Sequence, residues 1–195
     1  VTAAGNLDHE YMQQLIGERL SGMSPGTGAT GRRRPHAHAH VHVLEREQLE
    51  QVQLYIACEA PSGRDDDRFA VQVLNALLGG TVSSRLFQSI REERGLAYSV
   101  YSTQAAYSDT GYLLVSAGTR PPHVERVVRL ILEEVCRLQE SHVTDEELAC
   151  VKAHLKGSLV LSLEGTSGRM AALARAEINF GRVFDLERVL EGIDA

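Results

Sequence analysis

The sequence predicts an α+β fold, an antiparallel sheet with helices packed on one face. Three observations predict it. Two alternating apolar segments flank a turn at Ser108-Asp109-Thr110-Gly111, helical apolar spacing runs from Pro121 to the end, and strand-helix-strand alternation is missing. The last point excludes a doubly wound parallel sheet.

The elements follow in order. Val1 to Ala4 reads as a short strand and Gly5-Asn6 as a turn. Asp8 then caps a helix whose Met12, Leu15, Ile16 and Leu20 recur at helical spacing. From Ser21 to Pro35 the chain is rich in Gly, Ser, Thr and Pro with no apolar period, the composition of a flexible linker. This divides the sequence into a remnant of a first unit (1–22), a linker (23–39) and a larger domain (40–195). His40–Leu44 and Gln51–Glu59 alternate as strands do, the second with Val52, Leu54, Ile56 and Cys58 on one face. Ser62 with Asp65, Asp66 and Asp67 starts a helix, because a hydroxyl cap and early carboxylates suit its positive end; Phe69, Val73, Leu74 and Leu77 form its buried stripe. Gly79-Gly80 ends that helix. Ser83 or Ser84 caps a short second one carrying Leu86, Phe87, Ile90 and Arg91 until Gly95 stops it.

Strands at Tyr98–Tyr107 and Tyr112–Gly118 form the hairpin. Pro121-Pro122 opens a long helix with Val124, Val128, Ile131, Val135 and Leu138 on one face. Thr144 and Glu147 make a capping box for the next, through Leu148, Val151 and Leu155. Helical pattern continues, interrupted near Gly165–Gly168 and Gly181. The chain starts at Val1 and closes on Asp194-Ala195 without a final strand, so the fold is expected to be truncated at both ends.

Composition narrows the function. Apolar residues are 43 % and charged residues 24 % of the 195, ordinary for a globular protein, and the net charge is −6. Without a basic excess, nonspecific nucleic-acid binding is excluded; Arg32-Arg33-Arg34 is too short a run to supply it. No apolar stretch approaches the roughly 18 residues of a membrane span. Cys58, Cys136 and Cys150 lack any C-x-x-C spacing, which fits a reducing, cytoplasmic setting better than a disulfide framework.

Several groups suggest chemistry. His36, His38, His40 and His42 alternate, so an extended backbone puts all four on one face about 6.5 to 7 Å apart, and two could meet one metal ion. The competing reading is a polar, solvent-facing edge, favoured because no nearby carboxylate would orient the imidazoles. Neither H-E-x-x-H nor H-x-x-E-H occurs, and His9 and His154 have no second histidine four residues away. Ser83-Ser84 lacks a G-x-S-x-G setting, and Leu78-Gly79-Gly80-Thr81 lacks the G-K-[ST] of a phosphate loop, so both read as caps and turns. Arg91, among Glu92, Glu93 and Arg94, reads by itself as a solvated helix face, and Tyr98 as an ordinary strand aromatic.

The stretch LLGGTVSSRLFQSIREERGLAYSVYS, Leu77 to Ser102, changes that picture. It resembles the second-half signature of the pitrilysin (insulinase) family of zinc peptidases, especially its mitochondrial processing peptidase-like and bacterial members. Tyr107–Gly111, Gly118, Thr144–Leu148 and Lys156–Leu159 extend the match, and Gly5-Asn6 resembles the last turn of the family's first half. The resemblance implies one of two α+β halves enclosing a peptide chamber, with the LuxS/mitochondrial processing peptidase-like metallohydrolase fold. It implies a zinc metalloendopeptidase whose zinc ligands lie in the other half, no metal ligand in this chain, and inactivity of this chain alone. The family's substrate-contacting Arg and Tyr fall on Arg91 and Tyr98. A guanidinium fork suits peptide carbonyls, and a phenol suits an oxygen gaining charge in a tetrahedral intermediate. The implied partners are a peptide substrate and the zinc-bearing half or a homologous chain, as a homodimer or heterodimer, with no nucleic acid and no membrane. The alternatives are a noncatalytic partner or structural subunit of the same family and, more weakly, a histidine-based metal carrier.

Overall fold

The computed structural model describes residues 1–24, 26, 35–46, 48–183 and 185–195. Most of the expected linker, including Arg32, Arg33 and Arg34, lies outside them.

Helix α1 spans His9–Leu20, and its cap is the expected one: the Asp8 carboxylate accepts from the Tyr11 amide at 2.7 Å. Strand β1 is Val52–Ala60 and helix α2 is Arg68–Asn75. A first π-turn, Ala76–Gly80, and a second, Phe87–Glu92, lead to strands β2 (Ala97–Ala106) and β3 (Gly111–Thr119). Pro121–His123 forms one 3-10 turn before helix α3, Val124–Glu140; then come α4 (Asp145–Ser162), α5 (Thr166–Phe180) and α6 (Leu186–Asp194). The hairpin turn closes with the Tyr107 amide donating to the Thr110 carbonyl at 2.7 Å.

The three strands form an antiparallel sheet in the order β1-β3-β2. Register puts Leu54, Ala117 and Val100 in one row and Ile56, Val115 and Ser102 in the next, all on the same face. Leu78, Leu86, Ile90 and Leu96 from the turns, and Val127 and Ile131 from α3, pack onto that face and make the core. The predicted architecture, a sheet with helices on one face, is the observed one.

Four local expectations need correction. Val1–Ala4 and His40–Leu44 are not strands, and Val41, Val43 and Leu44 are exposed. Alternation makes a strand only where a neighbouring ladder satisfies the backbone, and neither segment has one among the described residues. Of the aspartates at 65–67, only Asp67 reaches the start of α2, at its cap position without a side-chain cap bond, and none lies in the first turn. Asp65 accepts from the Asp67 amide at 3.2 Å, so this short acidic side chain holds a turn that competes with helix. On α3 the buried stripe includes Val127 and the carboxylate of Glu134, which the apolar spacing passes over.

The fourth concerns the capping box. The Thr144 hydroxyl accepts from the Glu147 amide at 3.2 Å, but the Glu147 carboxylate does not return to the cap. It takes the Arg85 guanidinium in a two-pronged pair at 2.8 and 2.7 Å. A charge-assisted fork is the stronger alternative to one neutral amide.

Candidate functional site

The site is built on the connection from the second π-turn into β2. Leu86 and Ile90 point into the core with no exposed surface, which anchors the inner side of the turn. Widened turns of this kind recur at functional sites, because one extra residue re-aims the side chains that follow. The turn ends on Gly95 at φ +58°, a left-handed value that favours glycine. The Gly95 amide donates to the Arg91 carbonyl and the Leu96 amide to the Ile90 carbonyl, both at 3.0 Å, a glycine stop widened to match the π-turn.

Arg91 lies on the outer side of that turn, its side chain 44 % exposed. Its guanidinium stacks over the Phe87 ring at 4.8 Å, while the nearest carboxylate, Glu92, stands 3.9 Å away. A pair that long and that exposed contributes little. Within the described residues the Arg91 donors make no hydrogen bond. Its neighbour Arg94 is spent locally, on Glu93 at 2.8 Å and on the Ser89 carbonyl.

Tyr98 sits at a β-bulge. Ala97 faces Thr119 and Ser99 faces Gly118, so Tyr98 is the extra residue with no partner across the ladder. A bulge breaks the strict alternation and turns a side chain outward. Tyr98 is 76 % exposed and lines an open cleft of about 380 Å³ with Gln51, Arg120 and His123. The bulge is held from beneath by the buried Thr119 hydroxyl, which donates to the Leu96 carbonyl at 2.6 Å. Arg91 does not line this cleft; the two predicted site residues stand on successive elements joined by the Gly95 turn.

Arg120 and His123 escape sequence reasoning because Pro121-Pro122 reads only as a helix start. What brings them beside Tyr98 is strand register: Thr119 opposite Ala97 places the end of β3 next to the bulge. No local pattern carries that information.

The four histidines, His36, His38, His40 and His42, are all exposed on an irregular segment. His40 Nδ1 lies 3.0 Å from the His38 carbonyl, so one ring is engaged by its own backbone. Among the described residues, no three His, Cys, Asp or Glu side chains come together as a metal site. The described residues therefore do not fit a zinc ion.

The sequence profile of the peptidase M16 inactive domain matches residues 1–155. The chain belongs to the M16 peptidase family, the pitrilysin type its signature resembles. An uncharacterized zinc protease of Mycobacterium tuberculosis is 35 % identical over 199 residues, covering 100 % of this chain and 45 % of the relative. A conserved protein from Enterococcus faecalis superposes with a TM-score of 0.78 at 25 % identity, over 98 % of this chain and 45 % of that one. The M16 inactive domain from Pseudomonas fluorescens superposes at 0.63 with 27 % identity, over 74 % of this chain and 34 % of that one. The chain thus spans about half the length of the curated relatives it matches. No helix among the described residues is long and apolar enough to cross a membrane.

Proposed function

We propose that this chain is the substrate-holding part of an M16 zinc metalloendopeptidase, acting on peptides or unfolded segments beside a separate zinc-bearing half. In this reading residues 1–22 close that other half, 23–39 link the two, and 40–195 hold substrate. Arg91 donates to peptide carbonyls; the Tyr98 phenol donates to the oxygen that gains charge in the tetrahedral intermediate. The observation that carries the reading is the state of these two side chains. Both are exposed at one connection, neither side chain donates a hydrogen bond among the described residues, and Tyr98 is lifted out of the ladder by a bulge.

A cytoplasmic setting belongs to the same proposal, supported by three exposed free cysteines. The partner-subunit alternative requires the other half to lack zinc ligands. The test uses the full-length protein and a fluorogenic peptide. Tyr98→Phe removes one hydroxyl from an exposed position and is expected to lower kcat by about 10²-fold, the scale for one lost oxyanion donor. Arg91→Ala is expected to lower kcat/KM by a similar factor. Unchanged cleavage in both variants sinks the assignment, and a parent protein with no peptidase activity favours the noncatalytic partner.

A further inference from the structure

The Arg85–Glu147 pair joins parts of the chain 62 residues apart, immediately before the turn that carries Arg91. Arg85 is the first residue of the short helical segment leading into the second π-turn, and its side chain is only 21 % exposed. Glu147 is held in the first turn of α4 by its amide bond to Thr144. Glu134 of α3, 4 % exposed, is paired with Arg137 of the same helix at 2.9 Å. The Arg85–Glu147 pair thus ties α4 to the start of the turn. The Arg85–Glu147 hydrogen bond is the largest influence on both partners, holding the Glu147 carboxyl below its ordinary range and Arg85 above its own.

Burial of Leu86 and Ile90 sets how deep the turn sits, but apolar contact is non-directional and leaves rotation about the helix axis loosely specified. A two-pronged guanidinium–carboxylate pair fixes an angle. Arg91 is six residues further along this single rigid segment, so a rotation at Arg85 swings its guanidinium sideways.

We propose that Arg85, gripped by Glu147, is a positioning residue that sets the direction of Arg91; the proposal rests on the substrate-contact reading of Arg91 given above. Arg85 itself touches no substrate.

The experiment uses the full-length protein with its zinc-bearing half. Arg85→Met is expected to lower kcat/KM by about 10- to 100-fold, the scale for a misplacement near 1 Å, with most of the loss in kcat. In an Arg91→Ala background the same substitution is expected to cost nothing further. The exchanged pair Arg85→Glu/Glu147→Arg is expected to recover activity above either single variant. Amide hydrogen exchange is expected to quicken at residues 90–95 and stay unchanged in β2 and β3. Equal losses in both Arg91 backgrounds, or faster exchange spread evenly over all elements, would overturn the positioning role and leave Arg91's own role standing. An Arg91→Ala variant as active as its parent would sink the substrate-contact reading and this role with it. Should Arg85→Met fail to fold, Arg85→Lys, which keeps the charge and loses the fork, gives the same exchange comparison.

Discussion

Gly79 makes a close approach from the helical layer to the sheet, and adding one methyl group there measures how tightly the two are packed. A Cβ at Gly79 would stand 2.5 Å from the Ser102 amide nitrogen and 2.9 Å from its hydroxyl oxygen. The amide belongs to β2, paired on to β3, and cannot rotate aside. The hydroxyl is committed too, at 3.0 Å to the Asn75 carbonyl and 2.8 Å to its side-chain oxygen. The first π-turn must therefore lift, or the strand must bend. Overpacking of this kind costs about 1–3 kcal/mol, against a gain of about 0.4–1 kcal/mol from a stiffer unfolded chain. The net for Gly79→Ala is a loss centred on about 1 kcal/mol within a range of roughly 0–2.6, or about 2–4 °C in Tm at the centre for a domain of this size. Gly157→Ala is the matched control. It lies within α4 with nothing inside 4 Å of the added carbon, so only the favourable part remains and Tm is expected to rise by roughly 1–4 °C. Thermal unfolding of both variants in the same protein decides the matter: a Gly79→Ala Tm at or above the parent's refutes the close-approach argument.

The other predictions concern the bulge and the ion pair. Thr119→Val keeps the shape at a position 2 % exposed but leaves the buried Leu96 carbonyl without its donor, which is expected to cost about 1–3 kcal/mol in urea unfolding. Hydrogen exchange is expected to quicken first at residues 96–99; unchanged exchange there would mean that Thr119 does not hold the bulge. For Glu147, the hydrogen bond from Arg85 depresses the folded carboxyl below its ordinary value of 4.5. Its contribution is therefore complete above pH 4.5 and lost as pH falls through the lower folded value. Glu147→Gln is expected to lower the urea midpoint at neutral pH and to flatten its decline below pH 4.5; parallel declines in parent and variant would show that the pair carries no pH-dependent stability.

The parts of the fold legible in the sequence are those where local chemistry and tertiary demand agree. Asp8 caps α1, Gly95 and Gly181 take left-handed backbone at helix ends, and the turn at residues 108–111 joins two strands within one or two residues of the expected bounds. The failures have different causes. Glu147 reads as the second half of a capping box until Arg85, 62 residues earlier in the chain, takes its carboxylate. Residues 40–44 alternate as a strand should, but alternation supplies a face and not a ladder. Glu134 interrupts an apolar stripe on paper and is buried on α3 with its carboxylate paired to Arg137, one turn along the same helix.

The candidate site failed to appear as geometry for a more specific reason. Helix and strand readings assume constant periods, 3.6 and 2, and the site occupies two places where a period slips by one residue. The π-turn adds a residue to the helix before Arg91, and the bulge adds one to the strand at Tyr98. With regular periods Tyr98 would have to share a face with Val100 and Ser102, which are buried against the helices. The inserted residue resolves the conflict by turning the phenol out while Ala97 stays in the core. An insertion of this kind leaves no mark in composition or spacing. Only resemblance to a whole signature could single out these two residues, and only strand register could explain how Tyr98 comes to be available.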